Sequence, residues 1–366
     1  MTDTEDDGGG GDVTTRRRAN VLGLGLIGGS VALALRERGW HVTGDDVLRE
    51  SVERCLATRI IDEAGLDADA SITFLAAPVL AVADLAKRAL AETSGVVTDV
   101  GSTKATIAAV IDDPRFVGGH PMAGSELEGL DGADASMFHG AIWVLTPTAA
   151  TADTTFSTVA AVVTELGAEM VALPPERHDN VVAVISHVPH LTAATLMGLA
   201  SERAEEHAAL LRLAAGGFRD MTRIASGHPG IWIDICIDNR VAIIEGLDGL
   251  IAGLTDMRRV VADEERDELR SRLQHARDAR TNLPGRVNEP SELAEMRIPI
   301  PDRPGAAAEV FTLAAELGVN IASFEVVHSV EGNRGVAVVL VNALSADLFR
   351  GGLLARGYRP AVQRLQ

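Results

Sequence analysis

Ala19-Asn20-Val21-Leu22-Gly23-Leu24-Gly25-Leu26-Ile27-Gly28-Gly29-Ser30 runs from a short apolar strand pattern straight into a glycine-spaced turn. Gly23, Gly25 and Gly28 spell G-x-G-x-x-G, and Ser30 to Arg38 has helical spacing that stops at Gly39. Here Gly23 permits a tight turn, Gly25 lets the backbone approach a pyrophosphate, and Gly28 lets the helix lie close on the strand. The helix N-terminus then presents amide donors and a positive dipole end to phosphate oxygens. Leu26 and Ile27 fall in the same turn and are candidate cofactor contacts. A second strand pattern, Trp40 to Gly44, ends in Asp45-Asp46. A carboxylate at that distance accepts from a ribose 2′-hydroxyl and repels a 2′-phosphate, so NAD is expected over NADP. Asp46 is the first candidate for that contact, with Asp45 beside it.

Further strand patterns follow at Ser71–Ala76, Gly95–Val100, Arg115–Gly118 and Ala141–Thr146, alternating with helical stretches. That alternation predicts an α/β, Rossmann-type domain with a largely parallel sheet, over 18–179. From about Glu176 the texture changes to long Ala/Leu-rich runs, Asp179–Glu206, Ile231–Leu254 and Thr255–Arg280. They predict an all-helical domain over 180–282, of a kind that pairs between subunits as readily as it packs on its own chain. Pro284, Gly285 and Pro290 mark a linker at 283–295. Beyond it, 296–366 reads β-α-β-β-α-β, the ferredoxin-like order of a small α+β domain.

Residues 1–17 mix Gly, Asp, Thr and Arg without periodicity and read as a flexible acidic tail with no signal-peptide character. With 46% apolar side chains among 366 residues the chain is not a disordered one, and no run of about 18 apolar residues suggests a membrane span. Thirty-three basic against 52 acidic side chains leave a net charge of −19, which repels nucleic acid and anionic membrane. Two cysteines, Cys55 and Cys236, make no disulfide framework and fit a reducing, cytoplasmic setting.

Several segments carry chemistry. Ala76-Ala77-Pro78 and Asp99-Val100-Gly101-Ser102-Thr103-Lys104 each follow a strand, where an open parallel sheet collects its ligands. Ala77 and Pro78 are candidate cofactor contacts; Ser102, read alone, is a helix cap before it is a catalytic group. His120 stands between Gly118-Gly119 and Pro121 with little packing to explain it, and imidazole is the side chain best suited to take a proton near neutral pH. His178-Asp179 and Ser186-His187-Val188-Pro189-His190 form a second cluster. Its H-x-x-H spacing admits a metal, but no further ligand set accompanies it, so substrate binding by one histidine and capping or core roles for the others are expected. Arg219 and Arg223 lie in a segment opened by Gly216-Gly217 and followed by His228-Pro229-Gly230-Ile231-Trp232. A guanidinium there suits a carboxylate fork, though read without context either arginine is more often a surface ion-pair partner.

Gly23–Ser30, Asp99–Lys104, Gly118–Glu126, His178–His190 and Gly217–Trp232, in this order, resemble the prephenate dehydrogenase (TyrA) family over roughly residues 19–280. Ile300-Pro301-Asp302-Arg303-Pro304-Gly305 with Leu317-Gly318-Val319-Asn320-Ile321 resembles an ACT domain. The resemblance implies oxidative decarboxylation of prephenate to 4-hydroxyphenylpyruvate with NAD⁺. His120 would accept the ring hydroxyl proton and Ser102 would orient that hydroxyl. Arg223 would grip a substrate carboxylate, His190, Ser186 and the Gly216 backbone would line the side-chain end, and Trp232 would form a wall. Arg303, Gly305, Gly318 and Asn320 would border a tyrosine effector, or the C-terminal domain would only stiffen a homodimer. Arogenate as substrate, and a non-catalytic amino-acid sensor, are the alternatives.

Overall fold

The computed structural model describes residues 17–125, 127, 129–206, 214–282, 293–301, 303, 305–328 and 334–364. The expected tail up to residue 16, most of the expected linker, Glu126, Asp302 and Pro304 lie outside them. Arg17 belongs to the folded part: it donates to Glu165 at 2.8 Å and its guanidinium lies 4.2 Å from the centre of the Trp40 ring.

The first unit alternates strand and helix: β1 (Arg18–Leu22), α1 (Leu26–Glu37), β2 (His41–Asp45), α2 (Arg49–Ala57), β3 (Glu63–Ala64), β4 (Ile72–Leu75), α3 (Val79–Glu92), β5 (Val96–Asp99), α4 (Ala105–Val110), β6 (Phe116–Pro121), β7 (Ile142–Thr146), α5 (Asp153–Glu165) and β8 (Glu169–Ala172). The sheet order is β3-β2-β1-β4-β5-β6-β7-β8, parallel except between β6 and β7. Central strands are buried on both faces, as parallel strands under two helical layers must be: Val21, Val42, Ile72, Phe74 and Val97 are all sealed from solvent. The strand order reverses at β1 and β4, and the glycine turn opens at that point. Helix α1 begins at Leu26 rather than near Ser30; Gly28 and Gly29 are buried inside its first turns and the Ser30 hydroxyl donates to the Leu26 carbonyl at 2.7 Å. Strand β6 runs on to Pro121, past the expected end at Gly118, because residues 118–121 pair with β7 after 116–117 have paired with β5.

After β8 the chain is helical. Helix α6 (Pro175–Val182) continues through a π-helical turn, Ala183–His187, into α7 (Val188–Glu206). Pro189 supplies the reason for the widened turn: it has no N–H for the Ile185 carbonyl and its ring crowds that carbonyl. Among the described residues Pro175–Arg203 is the one helix long and apolar enough to cross a membrane by length and composition. It carries the histidine cluster. Then come α8 (Gly216–Thr222), a 3₁₀ turn at Arg223–Ser226, α9 (Pro229–Asp238), α10 (Arg240–Ala262) and α11 (Arg266–Thr281).

Two expected long helices are broken. Ile231–Leu254 is interrupted at Asn239, whose side chain turns inward to donate to the Asp179 carbonyl at 2.8 Å. Thr255–Arg280 is interrupted at Asp263-Glu264-Glu265, where acidic side chains oppose the negative end of α10 and Glu264 takes a φ of +52°. Among the described residues, the helical region has only a small core of its own, Ala183, Ala242 and Ile243, and leaves Ile233, Ile237, Ile244 and Ile251 facing outward.

The second unit, residues 271–366, contains β9 (Leu293–Pro301), α12 (Ala306–Glu316), β10 (Ile321–His328), β11 (Arg334–Asn342), α13 (Ala343–Ala355) and β12 (Ala361–Arg364). The sheet is antiparallel, ordered β10-β11-β9-β12. Alternate residues of β9 (Ala294, Met296, Ile298, Ile300) face a core shared with Val310, Leu313, Phe349 and Leu353. Leu293, Ala294 and Glu295, expected in the linker, are the first residues of β9.

Candidate active site

At the sheet's reversal point two motif glycines are fixed by steric necessity and one is not. Gly23 has a φ of +99°, and a Cβ there would stand 2.4 Å from the Ala76 carbonyl oxygen; a Cβ on Gly28 would stand 1.9 Å from the Gly23 oxygen. Among the described residues, a Cβ on Gly25 would meet nothing within 4 Å. Bare backbone therefore borders open space at the N-terminus of α1, which is what a pyrophosphate needs for close approach. Beside it lies a cavity of about 570 Å³ lined by Leu24, Gly25, Asp46, Leu48, Ser51 and Leu130, among others. The donor set fits a dinucleotide.

The two aspartates part company here. Asp45 turns to Arg88 in an ion pair of 3.4 Å, whereas Asp46 lines the cavity. Asp46 also braces the turn, accepting from the Leu24 amide at 2.6 Å and the Leu48 amide at 2.8 Å. Leu26 and Ile27 open α1, and Ala77 with Pro78 leads from β4 into α3 across from Gly23.

Ser102 sits half-buried in the loop between β5 and α4, but it does not cap α4. The Asp179 carboxylate, from α6, does so instead, accepting from the Lys104 and Ala105 amides at 2.8 Å each. The Ser102 loop is pinned from below by a buried ion pair between Lys104 and Asp99. Asp99 also accepts from the Gly101 amide at 2.8 Å and the Gly119 amide at 3.1 Å. That arrangement accounts for the glycines before His120: a Cβ on Gly118 would come within 3.1 Å of the Lys104 side chain and 2.4 Å of the Thr146 hydroxyl.

His120, one residue from the end of β6, meets His178 edge-on, its Nδ1 lying 2.8 Å from His178 Nε2. His178 Nδ1 in turn lies 2.8 Å from Asp179 Oδ1. Burial, followed by the neighbouring His178, Lys104 and His187, holds the His120 imidazole well below its ordinary range, so it is neutral at pH 7. His187 is buried beside Asn239, its Nδ1 3.2 Å from the Asn239 amide nitrogen, and burial pushes it down to about 4. The row ends in an aromatic stack: His190 lies face to face with Trp232, ring centres 3.4 Å apart, while His187 meets the same indole edge-on at 6.1 Å. Both histidines of the H-x-x-H pair thus flank one indole. Burial lowers the His190 pKa as well.

Ser186 lies in the π turn, half-buried. Gly216 opens α8 and is exposed. Arg223 opens the 3₁₀ turn that packs on α7 and ends at Gly227, whose Cα faces Trp232 and His190 closely enough that a Cβ would be 2.9 and 3.2 Å from them. Arg219 is occupied at the surface, donating to the Ala214 carbonyl at 3.1 Å. His228 caps α9 by accepting from the Gly230 amide at 3.1 Å, which sets the start of the helix that carries Trp232.

In the second unit, Arg303 and Gly305 border a cavity of about 180 Å³ at the start of α12, with Ile300, Val326 and Gly335. Gly318 and Asn320 do not join them. They follow the other end of α12, an 11-residue helix about 16 Å long, so one copy of the chain keeps the two pairs apart.

Two family models match consecutive parts of the chain: the prephenate dehydrogenase nucleotide-binding domain at residues 31–172 and the prephenate dehydrogenase dimerization domain at residues 174–275. The prephenate dehydrogenase of Bacillus subtilis is 32% identical over 86% of this chain and 89% of its own. The chain belongs to the prephenate dehydrogenase family. A cyclohexadienyl dehydrogenase of Zymomonas mobilis is 31% identical over 74% of this chain and 97% of its own. The crystal structure of prephenate dehydrogenase from A. aeolicus with hydroxyphenyl propionate and NAD⁺ superimposes with a TM-score of 0.69, at 29% identity, covering 74% of this chain and all of that one.

Sequence reading did not find the cap from Asp179 to α4, the Asn239 bridge, or the burial of Lys104 on Asp99. The only signals were the His-Asp dipeptide at 178–179 and a lysine in a chain that mostly uses arginine.

Proposed function

We propose that this chain is an NAD-dependent prephenate dehydrogenase, converting prephenate to 4-hydroxyphenylpyruvate and CO₂. The observation that carries the reading is a neutral, hydrogen-bonded imidazole at position 120, on the strand-end side of a nucleotide-binding sheet. Gly23, Gly25, Leu26, Ile27 and Gly28 would hold the cofactor pyrophosphate, Asp46 a ribose hydroxyl, and Ala77, Pro78 and Ser102 the nicotinamide end. Bound there, NAD⁺ supplies the acceptor for the hydride lost from the ring carbon that bears the hydroxyl.

The chain's own groups then have three tasks. His120, neutral at working pH, accepts the proton of the ring hydroxyl as that oxygen becomes a carbonyl. Ser102 orients the hydroxyl toward it. Arg223 holds a substrate carboxylate, and Ser186, His190, the Gly216 backbone and Trp232 enclose the side-chain end. Loss of the ring carboxylate as CO₂ is driven by aromatisation, so positioning is the protein's main contribution.

Around this centre we read 18–179 as the dinucleotide-binding domain, 180–282 as the substrate and dimerisation domain, and 296–366 as an ACT-like, ferredoxin-like domain. A homodimer is supported by the dimerization-domain match and by the outward-facing isoleucines of α9 and α10. The ACT-like reading is supported by the β-α-β-β-α-β order and the small cavity at Arg303 and Gly305, with tyrosine as effector; a cytoplasmic setting follows from the reaction. The test is an assay of the purified chain with prephenate and arogenate, using NAD⁺ and NADP⁺, with and without tyrosine. NADH formation with the larger kcat/KM for prephenate is expected; a larger value for arogenate replaces the substrate, and no turnover of either overturns the reading.

A further inference from the structure

We infer that His178 and Asp179 act as a positioning pair for His120, fixing which nitrogen of that imidazole is free to take the substrate proton. This role rests on the reading of His120 as the proton acceptor, and it begins at Asp179. Its carboxylate already accepts two backbone N–H bonds from the start of α4, so toward His178 it is an acceptor as well. The short contact between Asp179 Oδ1 and His178 Nδ1 therefore places the His178 proton on Nδ1.

With that proton on Nδ1, the acceptor His178 has left to offer is the Nε2 lone pair. That lone pair faces His120 Nδ1 at 2.8 Å, so His120 must donate its own Nδ1–H there. The outcome at His120 is a bare Nε2. When the ring hydroxyl gives up its proton, the proton goes to His120 Nε2; the resulting imidazolium keeps its Nδ1–H on His178, whose far side rests on the Asp179 anion. No second proton enters or leaves the chain of bonds.

Position makes this pairing costly to lose. His178 is fully buried and Asp179 nearly so. Among the described residues, the other charged or titratable groups acting on His120 are Lys104, itself paired with Asp99, and His187 on the π turn. Those groups disfavour an imidazolium, and Asp179, reached through His178, is the negative charge that opposes them. Asn239 keeps the pair in register, donating to the Asp179 carbonyl. The logic is that of a carboxylate orienting a general base in hydrolase triads, here with a second imidazole interposed.

The test uses the full chain labelled with ¹⁵N-histidine, plus steady-state kinetics of His178→Leu, His178→Gln and His120→Asn. Long-range ¹H–¹⁵N spectra at pH 7.5, with the His120 signals assigned by their loss in His120→Asn, are expected to show protonated Nδ1 and bare Nε2 at His120. In His178→Leu the Nε2–H tautomer should gain population, kcat should fall about 10- to 100-fold, and KM should change less than threefold. In His178→Gln the amide oxygen can still accept from Nδ1, so the tautomer and most of kcat should return. A doubly substituted His120→Asn/His178→Leu chain should be no slower than His120→Asn alone. If His178→Leu does not fold, the wild-type tautomer and the Gln variant decide. An Nε2–H tautomer in the unsubstituted chain, wild-type kcat in His178→Leu, or a Gln variant with a switched tautomer overturns the proposal. Wild-type kcat in His120→Asn instead overturns the assignment of His120, which separates the two failures.

Discussion

The cofactor turn and the histidine row lie in the same unit but are built in opposite ways. At the turn the candidate groups are backbone amides and bare Cα atoms within six residues, Gly23 to Gly28, braced by the Asp46 carboxylate just past β2. In the row the candidate groups are side chains from β6, α6, the π turn, α7 and α9, and each is held by a partner far along the chain. A backbone site needs only a turn of the right shape, so it is written locally. A side-chain site depends on where whole elements pack, and a small displacement of any of them would change its chemistry.

The sharpest way to break this contrast is at its chemical end. His120→Asn is expected to lower kcat by about 10² to 10⁴, the scale of a lost general base, with NAD⁺ affinity unchanged; stopped-flow and nucleotide titration check the two halves. Within the turn, two single-methyl changes should separate binding from folding. Gly28→Ala drives a Cβ into the Gly23 carbonyl and should cost about 1–3 kcal/mol of stability in urea titration, with nucleotide binding lost alongside. Gly25→Ala enters open space, so stability should stay within about 0.5 kcal/mol while NAD⁺ affinity falls about tenfold or more. Equal effects of the two alanines would mean that the turn is merely structural.

Arg223→Ala should raise KM for prephenate about 10- to 100-fold and leave kcat within a few-fold, as loss of a ground-state carboxylate contact does. The smallest effect is a pH dependence of stability. His187 titrates near 6.5 when unfolded but only at about 4 when folded, and His120 is shifted the same way. Between those values the unfolded chain binds more protons, so stability is intact above pH 6.5 and declines as pH falls toward 4. Urea midpoints at pH 7.5, 6 and 5 measure it, and His187→Gln should make the decline shallower.

The contrast also sorts what could be read in advance. The glycine spacing, the strand leading into it and the acid after β2 are short-range patterns, and they led directly to the expectation of a nucleotide-binding turn. His120 stood out because nothing local explained an imidazole between two glycines and a proline. Ser102 misled for the same reason: a serine before a helix is a cap by local rules, and only the packing of α6 against α4 shows that Asp179 fills that place. Likewise helical periodicity ran through Asn239, since the inward hydrogen bond that stops the helix comes from a residue 60 positions away.

The order of residues alone determined the alternation of strand and helix, the glycine turn, the change to a helical region and the small β-α-β-β-α-β unit. Those depend on periodicity and on backbone freedom at glycine, which are properties of neighbours. Tertiary structure decided which aspartate faces the cavity beside the glycine turn, which carboxylate caps α4, and which partner meets Nδ1 of His120. Such choices are made by hydrogen-bond partners brought together only when distant elements pack, and a linear pattern carries no record of them.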